Sequence, residues 1–138
     1  MIQSYVLLGA LGVHSIEDIR QRKITITISL FFAMVGIFLH LMFQNQSIYQ
    51  MLFGLLPGIA ILALSSLTGG KIGMGDGVVI MLTGFYLGFY KNLMLLFLAF
   101  LLAGILGLYL LVVHRWSREG RMPFVPFLFA SYLVMLFW

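Results

Sequence analysis

Six apolar runs fill nearly the whole chain, at residues 2–16, 24–43, 48–67, 78–90, 93–113 and 124–138, with short polar connections between them. This pattern leaves few folds open. The composition is 62% hydrophobic and 9% charged, with a mean hydropathy of +1.11. A soluble domain carries about 25% charged residues, so too little polar surface exists to cover a water-soluble globule. The second, third and fifth runs reach the roughly 20 residues that cross a bilayer as a helix. The first run does so only if its helix continues through Asp18 to about Arg22, and the fourth only if it begins at Asp76. The expected fold is therefore all-α, a polytopic membrane protein with six transmembrane helices. At 138 residues, it forms one domain, 1–138.

The basic residues give the expected orientation. Arg20, Arg22 and Lys23 lie in the first connection, Lys71 in the third, and Arg115, Arg118 and Arg121 in the fifth. Only Lys91 falls in an even-numbered connection, the fourth. Six crossings place all odd connections on one side, and the excess of lysine and arginine makes that side cytoplasmic. Both termini are then outside. Five crossings, with the fourth run re-entrant, would separate the first connection from the fifth and lose this agreement. The formal charge of +4 is thus read as a topology and lipid-headgroup signal, and no nucleic-acid partner is expected. The first run has no basic segment before it and no small-residue cleavage site, so it is not read as a cleavable signal peptide. The absence of cysteine excludes disulfides, zinc-thiolate sites and cysteine nucleophiles.

Carboxylates are scarce, with four acidic residues in all. A carboxylate at the edge of a membrane span is costly and is a functional candidate by default. Asp18 closes the first span and Asp76 opens the fourth, both at the expected cytoplasmic face. Two carboxylates about 3 Å apart do not both ionise readily, so one keeps its proton. The ionised member takes a proton from water, and the protonated member hydrogen-bonds a scissile carbonyl. That is the chemistry of peptide hydrolysis, and it calls for no metal or cofactor. Asp76 closes the stretch Gly73-Met74-Gly75-Asp76. Gly73 and Gly75 are expected to supply backbone angles that side chains forbid and to let an extended substrate approach. Taken alone, Asp76 reads equally well as a helix N-cap. A phosphate-binding loop does not fit, because G-x-x-x-x-G-K-[ST] is absent.

Three segments carry a family resemblance. Asp18-Ile19-Arg20-Gln21-Arg22-Lys23-Ile24 resembles the first aspartate motif of type IV prepilin peptidases. Gly73-Met74-Gly75-Asp76 resembles their second, GxGD. Met122-Pro123-Phe124-Val125-Pro126-Phe127 is similar to the segment before that family's last helix. The resemblance implies a membrane aspartic endopeptidase with Asp18 and Asp76 as its catalytic pair. Its substrate would be a type IV prepilin or pseudopilin, whose short basic leader it removes at the cytoplasmic membrane of a pilus, secretion or competence system. Thr25 stands where many members have proline, and no lysine follows GxGD closely. Larger members carry a cysteine cluster and also methylate the product. Without that region, peptidase activity alone is expected. Glu17 points about 100° from Asp18 on a helix; the plainer expectation for it is a solvated helix end, and the functional one is contact with a basic leader residue. His14 shares the face of Asp18, and a packed or hydrogen-bonded role is expected for it. Glycines 88, 104 and 107 are expected at close helix contacts. Two other functions compete. One is an intramembrane protease resembling presenilin or signal peptide peptidase. The other is a non-enzymatic small membrane transport subunit.

Overall fold

A computed structural model of the chain describes residues 1–44, 46–113 and 122–138. Six helices follow in order: α1 (Ile2–Gln21), α2 (Ile26–Phe43), α3 (Ile48–Leu67), α4 (Met74–Leu87), α5 (Phe89–Val113) and α6 (Val125–Phe137). The six expected runs are the six helices, and the first does continue through Asp18. Among the described residues there is no strand. Arg115, Arg118 and Arg121 lie outside the described residues.

Local chemistry sets most helix ends. Arg22 and Gln44 turn left-handed, at φ of 52° and 43°, and stop α1 and α2. The Ser47 hydroxyl accepts the Gln50 N–H at 3.3 Å and starts α3. After α3, Gly69 and Gly70 sit at φ of 65° and 81°, which breaks the chain before α4. The break is laced to the end of α3: the Gly70 N–H donates to the Ser65 carbonyl at 2.9 Å, and the Ser65 hydroxyl donates to the Ile72 carbonyl.

Two boundaries differ from expectation. Helix α4 begins at Met74, two residues before Asp76, with Gly73 as its N-cap. Its other end comes at Gly88, where φ is 75° and α5 starts at the next residue. No loop therefore separates the fourth and fifth runs, and Lys91 lies in the first turn of α5.

Helix α4 is the hub, in contact with α1, α2, α3 and α5. Its Val79, Ile80, Leu82 and Tyr86 join Leu7, Ala10 and Leu11 of α1, Leu95, Leu96 and Ala99 of α5, and Val125, Leu128 and Tyr132 of α6 in one buried cluster. Glycines bring α3 against α4. A side chain on Gly54 would collide with the Gly84 carbonyl, and one on Gly58 with Met81. This is the small-residue packing that membrane helices use. The glycines singled out in the sequence do otherwise: Gly104 and Gly107 meet no described residue, and Gly88 makes a turn. Fully buried Asn92 pins the junction, donating to the carbonyls of Gly54 and Ile80 at 3.2 Å each and accepting from the Thr83 hydroxyl at 2.8 Å.

The outer surface is apolar. Phe31, Met34 and Phe38 of α2 and Phe97, Ile105 and Leu108 of α5 are each at least half exposed. Helices α2, α3 and α5 are long and apolar enough to cross a membrane. Such a surface is stable against lipid and not against water, and the chain is an integral membrane protein.

Candidate active site

Asp18 lies in the last turn of α1 and Asp76 in the first turn of α4. Helices α1 and α4 touch, and the charge of Asp18 acts on Asp76. Two carboxylates far apart in the sequence are thus neighbours in space. They are the only aspartates in the chain.

Their surroundings differ. Asp18 is 7% exposed. Its Oδ2 accepts the backbone N–H of Val125 at 3.1 Å, and the backbone of Phe124 supplies a second, weaker hydrogen bond. These are the first amides of α6, which has no side-chain cap of its own. The carboxylate of α1 therefore does for α6 what a local Ser or Asp does at other helix starts. Asp76 is half-buried, and no described residue donates a hydrogen bond to it. It is not an N-cap, because Gly73 holds that position three residues earlier. Lys71, Ile72, Gly73 and Met74 beside it are exposed, so the site opens towards the glycine-rich break.

The two glycines of the second motif work differently from the expectation. Gly73 has φ −61°, and Gly75 is inside α4, so neither needs a conformation closed to other residues. What they give is room. A Cβ on Gly73 would stand 2.8 Å from Asp76 Oδ2, where the carboxylate folds back over the start of its helix. A Cβ on Gly75 would stand 2.7 Å from Ile24 Cγ1. Ile24 closes the first aspartate motif, so the two motifs interlock, and this contact fixes the connection after α1 against the start of α4.

Glu17 and His14 form a second polar cluster, between α1 and α2. The Glu17 carboxylate accepts from His14 Nδ1 at 2.9 Å and, at 3.5 Å, from the Thr25 N–H that opens α2. His14 Nε2 lies 3.0 Å from Ser29 Oγ. His14 is fully buried and hydrogen-bonded, as expected; the Glu17 side chain keeps 15% exposure. Among the described residues, no three His, Asp or Glu side chains gather closely enough to hold a metal ion.

Three participants were not evident in the sequence. They are the amides of Phe124 and Val125, the side chain of Ile24, and Ser29 as the partner of His14. Only the first left a signal: Pro126 near a helix start marks a first turn, but nothing local says which acid that turn faces.

The two carboxylates are near enough for the charge of one to act on the other, and comparison with known proteins gives the family. Residues 5–108 match the type IV leader peptidase family, and the chain belongs to that family. It is accordingly a peptidase. The matched span takes in both aspartates and stops short of α6. Neither the curated proteins nor the solved structures contain a match.

Proposed function

We propose that the chain is an aspartic endopeptidase that removes the short basic leader of a type IV prepilin or pseudopilin, with Asp18 and Asp76 as its catalytic pair. The observation that carries this reading is that the only two aspartates of a leader-peptidase family member stand on touching helices, at the end of α1 and the start of α4, within reach of each other's charge. One carboxylate activates water, the other protonates the scissile carbonyl, and the pair titrates as a unit. Gly73 and Gly75 serve by leaving space, the first for the Asp76 carboxylate and the second for Ile24.

The orientation belongs to the same proposal. With six crossings of the cytoplasmic membrane, both termini lie outside, and the end of α1 and the start of α4 face the cytoplasm beside Arg20, Arg22, Lys23 and Lys71. A prepilin presents its leader at that face and its hydrophobic stem to the lipid. The exposed segment from Lys71 to Met74 is where an extended peptide reaches Asp76. Glu17 retains enough exposure to meet a basic leader residue.

Co-expression with a prepilin tests the reading. Wild type is expected to shift the pilin to its shorter form on a gel, whereas Asp18→Asn and Asp76→Asn stay in the membrane and leave it uncut. Leader removal by either variant would end the proposal.

A further inference from the structure

The two carboxylates are not equivalent, and the difference lies in α6. We propose that the N-terminus of α6 selects Asp18 as the ionised base of the pair and leaves Asp76 as the proton-bearing acid, with the Val125 amide as the positioning group. This rests on the reading of Asp18 and Asp76 as catalytic.

Asp18 accepts the Val125 N–H at 3.1 Å and a second bond from Phe124. Amide donors favour the charged form of a carboxylate. The positive end of the α6 dipole acts in the same direction over its first turn. Asp76 also sits in a first turn, that of α4, but accepts no N–H from any described residue. When only one of two like charges can form easily, it forms where donors already wait.

Burial of Asp18 and its place at the carbonyl end of α1 work against its charge, and the two amides offset them; Lys71, ahead of α4, is exposed to solvent. Glu17 and His14, on the helix of Asp18, bond to each other and to α2. Arg20, Arg22 and Lys23 are exposed. In α2 the one histidine is His40, in the last turn, and α4 has no charged residue but Asp76. In α6 the one titratable side chain is Tyr132, whose hydroxyl donates to the Ser4 carbonyl near the start of α1.

The assignment defines the proton path. Asp18 carboxylate removes a proton from water as the water oxygen bonds to the scissile carbon. Asp76 gives its proton to the carbonyl oxygen, which leaves a neutral gem-diol. Asp18 then passes its new proton to the amide nitrogen as the C–N bond breaks. One gem-diol hydroxyl returns a proton to Asp76 as the carboxylic acid product forms. Both residues end as they began.

The test uses the full chain in detergent or nanodiscs with aspartate labelled by 13C at the side-chain carboxyl. Two aspartates give two resonances, assigned with Asp18→Asn and Asp76→Asn. On acidification without substrate, the Asp76 resonance is expected to take up a proton first while Asp18 stays at its carboxylate position. The opposite order overturns the proposal. Val125→Pro deletes the amide N–H at the first helical position and, because a following proline disfavours the αR conformation of Phe124, loosens the second bond with it. It is expected to move the Asp18 titration to higher pH by about one unit, what one hydrogen bond to a charged group contributes. An unmoved Asp18 titration in the folded variant removes the amide from the assignment. Should that variant fail to fold, the order in wild type still decides. Cleavage by the Asn variants bears on the peptidase reading alone, because the titration order is read without a substrate.

Discussion

Glu17 and Asp18 are adjacent acids on one helix, and the fold uses them in opposite ways. Glu17 turns towards α2, and His14 of its own helix together with the Thr25 amide occupies its carboxylate, while Ser29 of α2 completes the cluster. Asp18 turns towards α6 and α4, where it meets backbone amides and a like charge. A carboxylate with a side-chain partner is a tie between helices. A carboxylate beside another carboxylate has a proton to exchange. One residue of helical rotation, about 100°, separates the two.

The comparison is best attacked first at Asp18 and Asp76. Replacing either with Asn should lower leader cleavage by about 10³-fold or more, the upper part of the range for loss of an acid–base group. The measure is the rate of pilin shortening in membranes that hold equal amounts of each variant.

The glycines come next. Gly73→Ala sets a methyl against Asp76 Oδ2, and a displacement of about 1 Å costs on the order of 10²-fold in rate. Gly75→Ala should act through Ile24, so the double variant with Ile24→Ala should recover part of the loss, whereas the same change at Ile24 should not rescue Gly73→Ala. Equal rescue of both would show that the two glycines do one job.

The Glu17 side should respond in stability. His14→Ala removes the partner of a mostly buried carboxylate and is expected to lower stability by about 1–3 kcal/mol, measured by thermal unfolding in detergent. Cleavage per folded molecule should hold. If it falls while the melting temperature does not, the Glu17 cluster belongs to the chemistry and the contrast with Asp18 disappears.

Glu17→Gln against a charge-reversed leader gives the smallest effect. Only the exposed rim of Glu17 can meet the leader, and an ion pair screened by water contributes about 0–1 kcal/mol, so wild type should prefer the basic leader by at most about fivefold, and the variant should lose that preference. Equal cleavage of both leaders by wild type and variant would leave Glu17 with its helix-tying role only.

Much of this was legible in the chain itself. Six apolar runs became six helices because a backbone in lipid must satisfy its own hydrogen bonds. The cost of a carboxylate at a span edge pointed to Asp18 and Asp76 before any contact was known. The helix contacts were less legible. Gly104 and Gly107 look like packing residues but meet none of the described residues, while Gly54 and Gly84 do pack, because a glycine packs only where another backbone arrives. Of the two roles expected of Gly73 and Gly75, dihedral freedom is not used, and the room left by their missing side chains is taken by the Asp76 carboxylate and by Ile24.

The sequence alone determined the class of molecule, its helices and the two acids proposed as catalytic, since hydropathy, helix length and the desolvation cost of a charge are local properties. Only the tertiary structure decided that the α6 amides hold Asp18, that Ile24 fills the space at Gly75, and that Glu17 is held by His14. Those are contacts between segments distant in the chain, and such contacts depend on which face each helix turns to its neighbours.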